Sequence, residues 1–346
     1  MRTMKAALHD GAGTMRLAEL PYPDPTPGAV VVRVRASGIC GSDLYFYGIR
    51  KEPETSPGGH EVAGEIVELG ADVHGLRVGD RVSVEGVGLG RACRRCWYCR
   101  QGQYVQCMDQ GPSTGGGFAQ FWRVPAKACF KLPDALSWDE GALVEPLSIG
   151  THAVRRAGLR PYETVAVLGA GTIGLACMAA ARAAGVHRLI ATARYPHQAA
   201  LARELGADEV VSPEGDALQN TVLEATEGRG ADVTFEAVGG TSPNVLEQAI
   251  WVTRKQGRIV VAGAAKVPVP VNVITMLRRE ETLILAHCYG VLDGRHDFEV
   301  AMDLMACGRT PFKKTVTHHF PLAEVDRAFE TARSQATGAV KVGIEP

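Results

Sequence analysis

Apolar and polar positions follow two different patterns along this 346-residue chain, and the pattern changes near Pro161. Before that point, short runs rich in Val are separated by Gly, Asp and Pro, which is typical of strands joined by tight turns. The clearest runs cover residues 29–38, 61–70 and 80–86. The first part of the chain is therefore predicted to form an all-β, barrel-like domain.

Beyond Pro161, short apolar runs alternate with segments of helical periodicity. This alternation predicts βαβ units and a doubly wound parallel sheet, so the fold class is α/β with a second, β-rich domain. From about Arg295 the chain adds a predicted helix (298–307), a strand (314–320) and a second helix (322–333). The strands predicted in the alternating part cover residues 165–168, 188–193, 210–211, 233–238, 259–262 and 283–286.

Three glycines in G-x-G-x-x-G spacing lie between the first of these strands and an Ala-rich segment that favours helix: Gly169, Gly171 and Gly174. In a dinucleotide-binding turn the first glycine permits the sharp bend, the second lets the backbone approach a pyrophosphate, and the third lets the helix pack closely on the strand. The amides of Thr172 and Ile173 would then face the phosphates. The alternative is an ordinary strand-to-helix turn, so the motif needs support from the rest of the chain.

Composition and charge exclude several classes of function. Apolar residues make up 46% and charged residues 22% of the chain, values of an ordinary globular protein. The formal net charge of −1 favours neither nucleic acid nor a membrane surface as a partner. No apolar run is long enough to cross a bilayer, and the N-terminal segment lacks the apolar core of a signal peptide. We therefore expect a cytoplasmic protein.

Nine cysteines in a chain without a secretion signal indicate metal or thiolate chemistry rather than disulfides. Four of them have the spacing C-x-x-C-x-x-C-x7-C, which can close a tetrahedron around a structural zinc ion: Cys93, Cys96, Cys99 and Cys107. Basic residues surround this cluster, but a recognition helix and a wider basic face are missing, which disfavours a nucleic-acid-binding zinc finger. Four other cysteines have apolar neighbours and are predicted to be small buried hydrophobes: Cys129, Cys177, Cys288 and Cys307.

A second set of metal-ligand types is scattered along the chain: Cys40 in GICGSD, His60 and Glu61 in GGHE, and Glu145 in VEP. Cysteine, histidine and carboxylate ligands suit a catalytic zinc ion, which keeps one position open for water or substrate. Spacing alone leaves open that these are a buried cysteine, a satisfied histidine and surface carboxylates. Only the fold could bring such distant residues together.

Six motifs occur in the order GICGSD, GHEVAGEIVELG, VGDRV, the four-cysteine loop, EPLSIGTHAV and GAGTIG. Together they resemble the zinc-dependent medium-chain alcohol and polyol dehydrogenase family, especially its sorbitol and threonine dehydrogenase branches, over essentially the whole chain. The resemblance implies a GroES-like catalytic domain at residues 1–150 with both zinc sites, a Rossmann domain at 151–294, and a C-terminal segment at 295–346 that completes the catalytic domain. It also implies two zinc ions per chain. The catalytic zinc would be held by Cys40, His60 and Glu145, with Glu61 as an alternate or fourth ligand.

The resemblance also implies a proton path. Ser42 would pass on the proton of the alcohol, for which a hydroxyl is suited because it both donates and accepts, and Asp43 would orient the zinc-binding histidine. Many relatives place a histidine three residues beyond this serine, where the present chain has Tyr45. An unperturbed phenol, with a pKa of about 10, is a poor base at neutral pH. Tyr45 is therefore either a relay group or, with Phe46 and Tyr47, part of the substrate pocket or of the covering of the barrel.

The second predicted strand of the dinucleotide-binding domain indicates which nicotinamide cofactor is used. Enzymes of this fold that use NAD usually have an acidic residue about twenty residues beyond the glycines, which holds the ribose 2′-hydroxyl. Here that place holds Ala193, followed by Arg194, and no Asp or Glu occurs between Gly174 and Glu204. A guanidinium can bind a 2′-phosphate bidentately, so NADP(H) is favoured over NAD(H). The alternative is that Arg194 only ends the strand at the surface and that both cofactors are accepted.

The residues and the resemblance together predict an oxidoreductase that transfers a hydride between NADP(H) and a secondary alcohol or polyol and its ketone. The alternatives are a carbonyl reductase of the same family and a catalytically silent relative that binds a dinucleotide. Relatives dimerise by pairing edge strands of their nucleotide domains, and the apolar run 283–288 is either such an edge or an internal strand. We expect a homodimer or homotetramer that acts on a small molecule and binds neither nucleic acid nor a membrane.

Overall fold

The structure is a computed structural model that describes residues 2–112, 115–241 and 244–346. Contacts between residues divide the chain into two compact units. The first comprises the residues up to Glu145 together with Gly290–Ala306 and Lys313–Pro346, and the second comprises Pro146–Tyr289 and Cys307–Phe312. The first of the four boundaries between the units lies within one helix, at the peptide bond before Pro146.

Strands dominate the first unit, and strands alternate with helices in the second. In chain order the strands are β1 (Thr3–His9), β2 (Met15–Pro21), β3 (Ala29–Gly38), β4 (Glu61–Leu69), β5 (Arg81–Val84), β6 (Phe121–Pro125), β7 (Cys129–Lys131), β8 (Thr164–Leu168), β9 (Arg188–Thr192), β10 (Glu209–Val211), β11 (Ala231–Glu236), β12 (Thr253–Val261), β13 (Thr282–Leu285), β14 (Val291–Leu292), β15 (Arg295–His296), β16 (Val316–Pro321) and β17 (Lys341–Glu345). The helices are α1 (Gly41–Ile49), α2 (Trp97–Arg100), α3 (Trp138–Ala157), α4 (Thr172–Ala183), α5 (Pro196–Glu204), α6 (Ala217–Ala225), α7 (Asn244–Val252), α8 (Val273–Arg279), α9 (Asp297–Ala306) and α10 (Val325–Arg333). Short 3-10 turns lie at Tyr104–Gln106, Ala126–Ala128, Phe312–Thr315, Leu322–Glu324 and Gln335–Thr337.

The first unit is built on a sheet with the strand order β16-β17-β3-β4-β5-β7, to which β6 adds on β3. Along the middle of β3, Val32 and Val34 are buried whereas Arg33 and Arg35 are exposed, which is the period-two pattern of a strand with one face on a core. At its far end β3 pairs antiparallel with β17. The C-terminal strand therefore lies directly beside the strand that leads into the GICGSD motif.

The second unit holds a six-stranded parallel sheet in the order β10-β9-β8-β11-β12-β13. Numbered within the sheet, this order is 3-2-1-4-5-6, the arrangement of dinucleotide-binding sheets. Every residue of β8 is buried, as in parallel strands covered on both faces. The doubly wound α/β fold predicted from the alternation of elements is confirmed.

The sequence patterns located most strands to within a few residues, and the larger differences have local causes. β12 begins at Thr253, well before the predicted 259, because a polar stretch opens it. The patterns did not reveal α1, which is short, or α3, which continues through Pro146. The prediction that Cys307 is buried was wrong, because this residue follows the last turn of α9 and is exposed. Cys177 is buried as predicted.

Among the residues described, no helix is long and apolar enough to cross a membrane.

Candidate active site and metal centres

The GICGSD motif folds into the start of helix α1. Cys40 is the N-cap of the helix, and its backbone N–H donates to Oδ2 of Asp43 at 2.9 Å, which closes a capping box. This arrangement fixes the thiol of Cys40 and the hydroxyl of Ser42 at the first turn of the helix. The GICGSD motif, which was predicted to supply a metal ligand, therefore also begins a helix.

The structure brings Cys40, His60 and Glu61 together, with one ligand atom from each lying within 4.8 Å of the others. His60 precedes β4 and Glu61 is its first residue, opposite Gly38 of β3. A Cβ on Gly38 would overlap Oε2 of Glu61, so glycine is required there for the carboxylate to fit. Glu145, on α3, is 2% exposed but does not belong to this close group. The close group thus contains one of the two carboxylates considered from the sequence, Glu61, and the charge of Glu145 also acts on His60.

Lys341 enters this site from β17 and was not predicted from the sequence. The residue is 3% exposed, and its Nζ donates to Oε1 of Glu61 at 2.6 Å and to the carbonyl oxygen of Ile39 at 2.9 Å. Burial acts to lower the pKa of Lys341, but the charges of Glu61, Cys40 and Glu145 and the hydrogen bond to Glu61 together outweigh burial and raise the pKa. The only signal in the sequence was a lysine within the apolar strand run AVKVGI.

The electrostatics of His60 show that the surrounding groups attract positive charge. Burial alone would lower the pKa of His60, but a hydrogen bond with Cys40 and the charges of Asp43 and Glu145 raise it well above its usual value. Oδ1 of Asp43 lies 3.8 Å from Nδ1 of His60, which is close enough for charge attraction but too long for a hydrogen bond.

This donor set fits a zinc ion. Thiol, imidazole and carboxylate are the ligand types that zinc binds in proteins. Oε2 of Glu61 is buried and has no hydrogen-bond partner within the described part of the chain. A buried, unpaired carboxylate oxygen is costly, and a bound cation would satisfy it.

A cavity of about 490 Å³ is lined by Ser42 and His60. Phe46 and Tyr47 also line it, whereas Tyr45 does not and is 38% exposed. The structure thus places two of the three aromatic residues of α1 at the cavity, with Tyr47 buried and Phe46 51% exposed. Sequence reasoning missed further lining residues, among them Arg91, because isolated residues of these types carry no motif.

The four cysteines of the CxxCxxC loop converge on one point. Their sulfur atoms all lie within 4.8 Å of one another, with Cys93 to Cys99 at 4.0 Å and Cys96 to Cys107 at 3.9 Å. Zinc–sulfur bonds of about 2.3 Å in a tetrahedron place sulfurs about 3.8 Å apart, so these positions suit a closed zinc site. Backbone amides of Met108 and Cys99 lower the pKa of Cys96 to about 6, which favours the thiolate.

The glycine turn lies in the second unit, between β8 and α4. Gly169 has φ of +95°, and a Cβ on Gly174 would overlap the carbonyl oxygen of Gly169. A Cβ on Gly171 would meet no atom within 4 Å, so open space lies beside the turn. Thr172 and Ile173 form the first turn of α4. The conformation is the one that a pyrophosphate-binding turn needs, with its glycines at the positions where a side chain would collide or block access.

The end of β9 carries the residues considered for cofactor choice. The backbone N–H of Ala193 donates to the carbonyl oxygen of Val211. Arg194 is exposed, and within the described ranges no hydrogen bond or ion pair engages its guanidinium. This cation is therefore available to a ligand.

Comparison with known proteins yields two family-model matches. Residues 26–134 match the alcohol dehydrogenase GroES-like domain, and residues 172–307 match the zinc-binding dehydrogenase model. The chain is 33% identical over 358 residues to a sorbitol dehydrogenase of Bacillus subtilis, with 100% of this chain and 98% of that protein covered.

Two solved structures are similar over the whole chain and carry nicotinamide cofactors of different kinds. One, from Sinorhizobium meliloti 1021, is bound to NADP, and the other is an alcohol dehydrogenase of Escherichia coli CFT073 complexed with NADH. Each has a TM-score of 0.88 and 28% sequence identity, with 100% of both chains covered.

Proposed function

The chain belongs to the zinc-dependent medium-chain alcohol and polyol dehydrogenase family, and on that premise we propose that it oxidises a polyol or another secondary alcohol to the ketone with NADP⁺, using a zinc ion held by Cys40, His60 and Glu61. The observation that carries this proposal is the convergence of these three residues beside the cavity that Ser42 lines. Glu145, buried nearby on α3, is proposed as the further carboxylate of the site.

The proposed mechanism follows from the chemistry of the site. A bound zinc ion supplies Lewis-acid polarisation, which lowers the pKa of a substrate hydroxyl. Ser42 relays the proton of that hydroxyl, accepting it at Oγ while giving up its own hydroxyl proton, because its hydroxyl lines the cavity and no residue in the described ranges engages it. Asp43 attracts the imidazole of His60 and ties down Cys40 through the capping box, so it positions both donors. A bound nicotinamide would supply the acceptor for the hydride that leaves the alcohol carbon.

Tyr45 is not proposed as a relay group within the cavity, because it does not line it. Phe46 and Tyr47 are proposed instead to shape the apolar side of the substrate pocket. The proton that Ser42 accepts must therefore leave by another route, such as water in the cavity.

NADP(H) is proposed as the preferred cofactor. The place of the acidic residue holds Ala193, and the exposed guanidinium of Arg194 has no competing partner among the residues described. We expect wild-type protein to favour NADP⁺ over NAD⁺ in kcat/KM for one alcohol, and we expect Arg194→Ala to reduce that preference about tenfold or more through loss of a charge-assisted hydrogen bond. The neighbouring exposed Arg203→Ala serves as the matched control. An unchanged preference in Arg194→Ala would contradict the assignment.

A second, structural zinc ion in the four-cysteine loop is also proposed. Metal analysis of the purified protein should give two zinc ions per chain, with one lost in Cys40→Ser and the other in Cys96→Ser. A single zinc ion that survives Cys40→Ser, together with absence of turnover, would favour a silent dinucleotide-binding relative. Turnover confined to the reduction of carbonyl compounds would favour the carbonyl reductase.

A homodimer formed through the edge of the parallel sheet is proposed as the minimal assembly. β13 is the last strand of that sheet, and Leu285 on it is 65% exposed. Ile274 and Leu277 of the preceding helix α8 are 67% and 76% exposed. Exposed apolar side chains beside an open strand edge favour pairing with a second copy. Light scattering should report at least twice the mass of one chain.

A further inference from the structure

Two arginines also line the cavity that Ser42 lines, and among the residues described a carboxylate pairs with only one of them. Nη2 of Arg50 lies 2.9 Å from Oε1 of Glu54. The other oxygen of this carboxylate accepts from the backbone N–H of His9 at 3.0 Å. Arg50 and Glu54 therefore form a pair whose charges offset each other.

Arg91 is the second arginine, and it is held in place without being neutralised. Its Nε donates to the carbonyl oxygen of Gly111 at 3.1 Å, and the backbone N–H of Gly111 donates back to the carbonyl oxygen of Arg91 at 2.8 Å. Within the described ranges, its terminal nitrogens have no hydrogen-bond partner and no carboxylate within 4.0 Å. The guanidinium is thus preorganised as a fork of unused donors.

His9 adds a second unused donor to the same cavity wall. It is 2% exposed, and its Nδ1 accepts a hydrogen bond from the backbone N–H of Gly11 at 3.0 Å. Accepting at Nδ1 requires the ring proton of the neutral imidazole to be on Nε2. Nε2 is buried and unpaired in the part of the chain that the structure describes. A buried donor without a partner is costly, so this position favours a ligand that brings acceptors.

The acidic groups of the cavity do not offset these donors. Glu54 is engaged by Arg50 and His9, and Asp43 accepts from Cys40 and faces His60. A neutral polyol would therefore leave the charge of Arg91 without a counter-charge.

We propose that the substrate carries an anionic group, a carboxylate or a phosphate, in addition to the hydroxyl that is oxidised, and that Arg91 binds this group. The inference rests on the proposed dehydrogenase function and deepens it, since it names the substrate class as acidic polyols: sugar acids or polyol phosphates. Arg91 acts by binding and orienting, so its loss should raise KM more than it lowers kcat.

The test compares substrates that differ in the anionic group. Initial rates of nicotinamide reduction are measured with sorbitol, sorbitol 6-phosphate and gluconate for the zinc-loaded wild type, Arg91→Gln and Arg100→Gln. Arg100 is an exposed arginine of the same loop that does not line the cavity, and its substitution should leave all rates unchanged.

We expect the wild type to prefer one of the two anionic substrates over sorbitol, and the better one identifies carboxylate or phosphate as the recognised group. The ratio of kcat/KM for that substrate to kcat/KM for sorbitol should fall roughly 10- to 100-fold in Arg91→Gln, as expected for loss of a hydrogen bond to a charged group. Equal use of sorbitol and both anions by the wild type, or an unchanged ratio in Arg91→Gln, would overturn the inference and leave the dehydrogenase function intact.

A binding measurement separates this inference from the proposed function. Calorimetric titration with gluconate and with inorganic phosphate should show at least one ligand bound about tenfold more weakly by Arg91→Gln than by wild type and Arg100→Gln. If no polyol or secondary alcohol is oxidised but this difference is found, the proposed function fails and the anion site stands. Identical binding by all three proteins would refute the anion site whether or not the protein is an active enzyme.

Discussion

Replacing Lys341 with methionine removes the charge that faces Glu61 while nearly keeping the shape of the side chain. Lys341 is 3% exposed and Glu61 is 1% exposed, so in the zinc-free protein the change leaves an uncompensated carboxylate in a buried site. Breaking a buried ion pair in this way costs about 3–5 kcal/mol. The two hydrogen bonds made by Nζ, to Glu61 and to the carbonyl oxygen of Ile39, are lost as part of that cost.

Urea unfolding of zinc-free Lys341→Met and zinc-free wild type measures this loss as a drop in the free energy of unfolding. In a unit of roughly 150–250 residues the same change corresponds to a fall in Tm of about 6–20 °C. The matched control is Lys5→Met, an exposed lysine on strand β1 that should change stability by less than about 0.5 kcal/mol. The double variant Lys341→Met with Glu61→Gln should recover part of the loss, because no buried charge remains. A loss for Lys341→Met no larger than that of Lys5→Met would refute the buried pair.

Two further predictions concern the glycine turn and the hydroxyl of Tyr47. Gly174→Ala should destabilise the cofactor-free protein by about 1–3 kcal/mol, because the added Cβ overlaps the backbone of Gly169, whereas Gly171→Ala should leave that stability unchanged. Fluorescence titration with NADPH should show weaker binding by both variants. Equal stabilities of the two cofactor-free variants would contradict the turn geometry. Burial and the charge of Asp326 raise the pKa of Tyr47 to about 12, from about 10 in the unfolded chain. The protonated phenol therefore stabilises the folded state fully below pH 10, and this stabilisation is lost as the pH rises towards 12. Urea midpoints between pH 8 and 11.5 should therefore fall less steeply for Tyr47→Phe than for wild type, and parallel curves would count against the shift.

The sequence was most informative where the chemistry is local. The four cysteines are close in the chain, and the glycine turn is a single strand-to-helix connection, so their spacing already describes their geometry. The zinc-binding dehydrogenase family and the α/β class could be predicted for the same reason. The family is indicated by motifs in a fixed order along the chain, and the class by the alternation of predicted strands and helices.

The catalytic site was less accessible to sequence reasoning, because its partners meet only through sheet pairing. Glu61 was predicted as an alternate or fourth ligand, and the register that places it opposite Gly38 brings it beside Cys40. Lys341 reaches the site from a strand that no spacing rule connects to it. Arg91 lies in a basic loop in which the sequence offers no way to distinguish it from its exposed neighbours; only its bonds to Gly111 and its place in the cavity wall do so.

The pairing of β17 with β3 also sets an order of events during synthesis. Nζ of Lys341 and the carbonyl oxygen of Ile39 are separated by 302 positions in the chain, and the whole of Pro146–Tyr289 lies between them. At elongation rates of about 5–20 residues per second, Lys341 emerges roughly 15–60 s after Ile39. During that interval the parallel sheet, whose strands follow one another closely, can form while the sheet around the candidate zinc site still lacks a strand. The second unit is thus able to fold before the sheet of the first unit is complete.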